Sequence, residues 1–194
     1  MKYHLHSLCL AGGLALAASG NGALAADLFV LTSPAFKDGT MMAQKNAGAN
    51  KSNPNCVGEN VSPPLAWANA PAGSKSLALL MIDPEGRGGL GVIHWLAYNI
   101  PASLTGFTEG ETSQPSPKYT GGKGTAGQST YMGPCTPVGA PRHYTFTLVG
   151  TDLEVGALAP GLTYPELIAK LDGHAKGGTG LIGLWQNPST SKGQ

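Results

Sequence analysis

The sequence predicts a mainly β protein, mostly antiparallel, with one clear helix near the C-terminus. Two apolar runs of strand length, residues 77–82 and 92–100, are bounded by Asp, Gly and Pro turn signals. Residues 143–150, HYTFTLVG, alternate polar and apolar side chains, as a strand with one solvated face does. Only residues 163–175, TYPELIAKLDGHA, combine an apolar helical face with capping residues.

The first half of the chain contains two further extended segments. Residues 27–36, DLFVLTSPAF, are typical of a strand that ends at Pro34. Residues 58–71, GENVSPPLAWANAP, form an extended segment interrupted by prolines. Pro63 and Pro64 cannot join the interior of a ladder, so we expect them at a sheet edge or in a loop.

The second half contains a long loop, the helix and a final strand. Residues 109–130 are rich in Gly, Ser, Thr and Pro without periodicity, which predicts a long surface loop of the kind that often carries function. The helix is predicted to begin at Thr163, with Glu166 completing a capping box, and to stop at Gly173. Residues 179–187, TGLIGLWQN, predict one more strand.

Residues 1–25 have the pattern of a cleaved export signal. Lys2 supplies a positive start, residues 8–18 are apolar, and Ala23–Ala25 satisfies the small-residue cleavage rule. The alternative is an uncleaved anchor, although the stretch is shorter than the roughly 20 apolar residues needed to span a bilayer, and no later segment approaches that length. We therefore expect a periplasmic or secreted protein, with residues 26–194 forming a single domain.

Charge and cysteine content narrow the classes of partner. A net charge of +1 without a basic cluster argues against nucleic acid and against purely electrostatic adhesion to anionic lipid. If Cys9 is removed with the signal, Cys56 and Cys135 remain, and two cysteines in an exported chain suggest one disulfide. Free buried thiols or a metal site are the alternatives. Neither cysteine lies in a C-x-x-C cluster, so zinc is the weaker interpretation.

Residues 86–91 match the G-x-G-x-x-G pattern of dinucleotide-binding loops, but their context does not. That pattern requires a following helix whose N-terminal amides hold a pyrophosphate. Here residues 92–100, VIHWLAYNI, are β-branched and aromatic, without a helical period. The sequence therefore predicts a strand, a glycine-rich loop and a strand, with Asp83 and His94 at neighbouring strand ends.

Four ordered motifs resemble the phosphatidylethanolamine-binding protein family, specifically its bacterial Raf-kinase-inhibitor-like branch. They are NVSPPLAW at 60–67, DPEG and HWLAYNIP within 83–101, YMGPCTPVG at 131–139 and HYTFTL at 143–148. The match covers nearly the whole chain after residue 25. The resemblance implies a β-sandwich-like domain in which a large central antiparallel sheet packs on a smaller sheet, with helices at the periphery.

The resemblance also implies a small anion pocket at one end of the sheet. The positions that carry over from the family are Asp83, His94, Gly133, Pro134, Cys135, Pro137 and Tyr144. Two residues before Tyr144, where the family more often has a histidine, this sequence has Arg142, and His143 should point to the opposite face. Either Arg142 replaces that histidine, or a bulge brings His143 inward. The D-P turn also departs from the commoner D-P-D-A-P form.

The leading functional interpretation is a binding protein, not an enzyme, without a cofactor or metal. In it, protonated His94, the Tyr144 hydroxyl and amides of the Gly133 loop hold a small anion or phosphoryl headgroup, while Asp83 orients the imidazole. The same site would engage or inhibit a protein partner of unknown identity. A homodimer is left open.

Two other classes of function remain. A hydrolase could use Asp83 and His94, although the sequence has no G-x-S-x-G elbow. An interaction domain could carry a vestigial pocket and use residues 109–130 as its contact surface. Taken singly, Asp83 could simply cap its turn and His94 could be a satisfied sheet histidine.

Overall fold

The computed structural model describes residues 27–188 of the 194-residue chain. The export signal predicted over residues 1–25 lies outside these described residues. Across the described part, none of the helices is both long and apolar enough to span a bilayer.

Short and long strands alternate along the chain with a few helical turns. The strands are β1 Val30–Thr32, β2 Thr40–Met41, β3 Leu65–Ala68, β4 Ser76–Asp83, β5 Val92–Pro101, β6 Gly106–Phe107, β7 Thr120–Gly121, β8 Arg142–Thr151 and β9 Ala175–Trp185. Helix α2 spans Tyr164–Leu171, and there are 3₁₀ turns at Gln44–Asn46 and Glu111–Ser113. The short segment α1, Gly86–Gly89, is a turn in which Arg87 and Gly88 have left-handed rather than helical dihedrals.

The strands form the large and small sheets that the resemblance implies. The large sheet has the order β2-β9-β8-β4-β5-β7, and the small sheet has the order β1-β3-β6. All of these pairs are antiparallel except β2 with β9. The mainly β, two-sheet fold is therefore confirmed.

Strand β4 lies at the centre of the large sheet because both of its faces are apolar. Its side chains alternate between two cores, as the two-residue period of a strand requires. Leu77, Leu79 and Met81 join the core between the two sheets. Ala78 and Leu80 join a second core on the opposite face. The result is three layers, with the small sheet on one side of the large sheet and helix α2 on the other.

Helix α2 begins and ends with the capping residues that the sequence predicts. The Glu166 carboxylate accepts a hydrogen bond from the Thr163 backbone amide at 2.8 Å, which completes the capping box. Leu167 and Leu171 are buried in the second core. Gly173 follows the helix with a φ of +76°, a left-handed conformation that glycine adopts without a steric penalty.

The structure differs from the sequence-based prediction in the extent of several elements. Strand β9 begins at Ala175, four residues before the predicted start, and the segment predicted as a plain loop over 109–130 contributes β7 to the edge of the large sheet. The start of β9 is rich in glycine and β7 is only two residues long, so neither gives a periodic hydrophobic pattern in the sequence. Pro63 and Pro64 lie outside the ladder, directly before β3, as expected.

We expect Leu79→Ala to lower the free energy of unfolding by about 2–5 kcal/mol, because it removes buried methyl groups and leaves a cavity. Leu79 is fully buried in the central strand. The matched control is Val155→Ala, an exposed position where the change should stay within about 0.5 kcal/mol. Urea unfolding of both variants tests this, and equal effects would contradict the central position of β4.

Candidate functional site

A pocket of about 680 Å³ opens where β4 ends and where β5 and β8 begin. Asp83 is the last residue of β4, His94 is the third residue of β5, and Arg142 and Tyr144 lie at the start of β8. All four residues line the pocket. Because β4 pairs antiparallel with both β5 and β8, the end of β4 and the starts of β5 and β8 lie at the same end of the sheet.

Asp83 ties three parts of the site together with one carboxylate. One oxygen, Oδ1, accepts the backbone amides of Glu85 at 2.9 Å and Gly86 at 3.0 Å, which closes the Asp-Pro turn. The other oxygen, Oδ2, lies 3.3 Å from Nη1 of Arg142. Asp83 is only 2% exposed, and a buried carboxylate needs such partners to remain charged. Its negative charge therefore positions the Arg142 guanidinium.

Arg142 faces the pocket and His143 faces away from it. The pairing of β8 with β9 runs through Arg142, His143 and Tyr144 without a register shift, so no bulge occurs at this point. The His143 imidazole Nδ1 lies 2.7 Å from Oε1 of Glu85 outside the pocket. The alternative that a bulge turns His143 inward is therefore wrong for this structure, and strand alternation identified the correct residue.

A β-bulge does occur on β5, and it involves His94. Met81 pairs with Trp95 and Ile82 pairs with Ile93, so His94 is an extra residue between two ladder pairs. The carbonyl oxygen of His94 accepts a hydrogen bond from Nε2 of Gln128 at 2.9 Å. The bulge places the His94 ring 5.0 Å from the ring of Tyr144 in an edge-to-face contact.

The His94 imidazole is held neutral in the free protein. Its Nδ1 lies 2.8 Å from the carbonyl oxygen of Met132, which can only accept, so Nδ1 carries the proton and donates. Burial lowers the pKa of His94, while the Met132 carbonyl and the charge of Asp83 raise it to a smaller extent. The expected protonated imidazole is thus not the resting form. Met132, rather than Asp83, orients the ring, because Asp83 is hydrogen-bonded to other groups.

Tyr144 remains a hydrogen-bond donor over the whole physiological pH range. Burial raises the pKa of the Tyr144 phenol, and the hydrogen bond with Thr136 only partly offsets this. The Tyr144 hydroxyl and Oγ1 of Thr136 lie 3.1 Å apart in the buried part of the site.

Only some of the loop residues 133–137 that were predicted to bind the ligand line the pocket. Cys135 and Pro137 line the pocket, whereas Gly133 and Pro134 are not among the lining residues. The amide of Gly133 donates to Oδ1 of Asn60 at 2.8 Å, so it is not available to an anion. A Cβ at Gly133 would overlap the backbone of residues 46–48, which explains the glycine by close approach.

Residues 48–56 form the opposite wall of the pocket, which was not predicted from the sequence. Five of these residues besides Cys56 line the pocket: Gly48, Ala49, Asn50, Asn53 and Asn55. The segment has no strand or helix period, so only its run of asparagines distinguishes it. Arg87 was also missed, and it lines the pocket with a φ of +53°, a left-handed conformation that is uncommon for a residue with a side chain.

A disulfide joins the two walls. Cys56 and Cys135, 79 residues apart in sequence, are bonded, so neither is a free thiol. A Cβ at Gly48 would overlap Sγ of Cys135, so glycine is required where this segment passes the disulfide. Within residues 27–188, no group of three or more His, Cys, Asp or Glu side chains is placed to hold a metal ion.

Comparison with known proteins agrees with this geometry. The sequence profile described as Phosphatidylethanolamine-binding protein matches residues 32–186. The chain belongs to the phosphatidylethanolamine-binding protein family. The matched residues include strands β2 to β9, the last residue of β1 and both walls of the pocket.

Individual members of the family resemble the chain over most of its length. A UPF0098 protein of Methanothermobacter thermautotrophicus is 37% identical over 136 residues, covering 68% of this chain and 86% of that protein. LppC of Mycobacterium tuberculosis, whose name describes it as a lipoprotein, is 32% identical over 163 residues, covering 84% of this chain and 74% of that protein. The crystal structure of YbcL from Escherichia coli has a TM-score of 0.72 at 26% identity, covering 81% of this chain and 98% of that chain.

We expect the double variant Cys56→Ala/Cys135→Ala to lose about 4 kcal/mol of unfolding free energy, because the cross-link restricts the unfolded chain. Urea unfolding with and without reductant measures it. The reductant should destabilise the wild type to a similar level and leave the variant unchanged. Equal stability of oxidised wild type and variant would contradict a stabilising cross-link.

We expect stability to fall as the pH drops below the ordinary pKa of His94, 6.5, because the folded pKa is lower. The unfolded chain then binds a proton that the folded protein rejects. The stability that neutral His94 contributes is fully present above pH 6.5 and is lost progressively below that pH. His94→Gln should flatten this slope in thermal unfolding between about pH 7 and pH 5. An unchanged slope in His94→Gln would contradict the neutral resting imidazole.

Proposed function

We propose that this protein is an exported binding protein that holds a small anion or a phosphoryl group in the pocket. The observation that carries the proposal is the Arg142 guanidinium, held by buried Asp83 at the pocket lining beside His94. A guanidinium is always charged and can bind two oxygens of a phosphoryl group in parallel. Since Asp83 fixes it in place before the ligand arrives, little ordering is needed on binding.

The charges of the lining groups support an anionic ligand. The charged lining groups are Asp83, Arg87 and Arg142, and the negative charge of Asp83 offsets only one of the two guanidiniums. The phenol of Tyr144 remains a neutral donor. Neutral His94 presents Nε2 as an acceptor, so a dianion would favour uptake of a proton there, and binding would strengthen as the pH falls.

The contacts of Asp83 and His94 favour binding over hydrolysis. A catalytic histidine base is commonly oriented by a carboxylate and hydrogen-bonded to a nucleophile. Here the imidazole donates to a backbone carbonyl, and both carboxylate oxygens accept from other groups. We therefore infer that the protein is not a hydrolase.

Export and the protein partner belong to the same proposal. The disulfide suits an oxidising compartment, and the name of LppC describes an envelope protein type. Residues 26–194 would then be the exported domain. Thr125 and Ala126 of the long loop line the pocket, so a protein that contacts this loop would meet the anion site as well.

We expect Arg142→Gln to weaken phosphate binding by about 10-fold or more, the usual value of a charge-assisted hydrogen bond. Arg142→Lys keeps the charge without the planar fork, so its loss should be smaller. The matched control is His143→Gln, the next residue on β8, which should bind as the wild type does. Protein NMR titration with inorganic phosphate measures all three.

Thermal unfolding accompanies these titrations, because removing Arg142 leaves a buried carboxylate without its partner. Loss of affinity in a folded Arg142→Gln protein supports the proposal. Equal phosphate affinity in Arg142→Gln and wild type, or no saturable shifts in the wild type, would overturn it.

A further inference from the structure

We propose that the pocket selects a phosphomonoester of an uncharged, hydroxyl-bearing compound over an aminoalkyl phosphate. This inference rests on the proposed function and names the class of ligand. Three features of the pocket lining support it: the charges of its side chains, the exposed guanidinium of Arg87 and a wall of asparagines. This asparagine wall is defined as Asn50, Asn53 and Asn55.

Among residues 27–188, the pocket lining has no carboxylate available for a ligand ammonium group. Among the described residues that line it, Asp83 is the only acid, and its oxygens accept from two backbone amides and from Arg142. The nearby carboxylate of Glu85 lies outside the lining and accepts the His143 amide at 2.9 Å and Nδ1 at 2.7 Å. An ammonium group in this pocket would lose water without gaining an ion pair.

Arg87 adds a second guanidinium to the anion site. In the described part of the chain it makes no ion pair and no hydrogen bond through its side chain, and it is exposed at the pocket. The loop around it is fixed, because the Gly86 amide donates to Asp83 and the Gly91 amide donates to the Gly86 carbonyl at 3.0 Å. Two guanidiniums can donate to the three terminal oxygens of a phosphomonoester, whereas a diester has only two such oxygens.

The asparagine wall offers neutral hydrogen-bonding groups. Oδ1 of Asn50 accepts the Ser52 amide at 3.0 Å, and Oδ1 of Asn53 accepts the Asn55 amide at 3.0 Å. These bonds leave the Nδ2 groups of Asn50 and Asn53, and the whole side-chain amide of Asn55, without hydrogen-bond partners among residues 27–188. A hydroxyl can accept from an amide N–H and donate to an amide C=O, whereas an ammonium can only donate and cannot use the free N–H groups.

The wall is also held in place before binding. The disulfide anchors Cys56, the Gly58 amide donates to the Gly48 carbonyl at 3.0 Å, and Nε2 of Gln44 donates to the Val57 carbonyl at 3.0 Å. A preformed polar wall beside two cations can therefore discriminate between ligand tails that share one phosphoryl group.

The test compares inorganic phosphate, glycerol 3-phosphate, phosphoethanolamine and glycerophosphoglycerol by NMR titration of the purified protein. We expect glycerol 3-phosphate to bind at least about fivefold tighter than phosphoethanolamine, the value of roughly one hydrogen bond. Glycerophosphoglycerol, a diester like a phospholipid headgroup, should bind more weakly than glycerol 3-phosphate. Arg87→Gln should reduce this preference for the monoester.

Asn55→Asp supplies the missing carboxylate with almost no change of shape. This substitution should shift the ratio of the affinities for glycerol 3-phosphate and phosphoethanolamine by at least about fivefold toward phosphoethanolamine. Gln114→Glu is the matched control, because it adds the same charge at an exposed position outside the pocket lining. That variant should keep the wild-type ratio.

Each outcome separates the two proposals. Absence of phosphate binding would overturn the anion-binding function itself. Phosphate binding with equal affinities for glycerol 3-phosphate and phosphoethanolamine, and no response to Asn55→Asp, would overturn only the selectivity. A diester that binds tighter than the monoester would overturn the assignment to a phosphomonoester and identify a lipid headgroup as the source.

Discussion

The site depends on the buried carboxylate of Asp83. Through its two oxygens it closes the turn after β4, fixes the start of the loop that carries Arg87, and holds Arg142 of β8 in the pocket lining. A buried charge is tolerated only when it is fully paired. The same requirement that makes Asp83 compatible with folding therefore also sets the position of the two cationic groups, so the fold and the proposed anion site share one constraint.

The long strands and the helix were predictable because their signals are local. Apolar runs and capping residues identified β4, β5 and α2, and strand alternation identified Arg142, rather than His143, as the residue of β8 that faces the pocket with Tyr144. These inferences need only a few neighbouring residues, so a single sequence contains the necessary information.

The rest of the site arises from contacts between distant segments. The bulge that turns His94 toward Tyr144 is stabilised by Gln128 and Met132, and neither residue signals this role in the sequence. His94 is neutral because these contacts bury its imidazole ring, which lowers its pKa. The wall over residues 48–56 is irregular, and it is joined to the loop 133–137 by a disulfide to Cys135, 79 residues away, and by a hydrogen bond from the Gly48 amide to the Pro134 carbonyl. Periodicity cannot reveal such partners.

The two edges of the large sheet affect how the protein can associate with itself. Each outer strand, β2 at Thr40–Met41 and β7 at Thr120–Gly121, is only two residues long. An aggregating or dimerising chain needs a longer row of open backbone groups to extend a sheet. Because β2 pairs only with Gly183 and Leu184, the first part of β9 also lies at the edge, and its glycines and Lys176 are residues that disfavour strand addition. Extension of the large sheet by a second copy of the chain is therefore disfavoured at these edges.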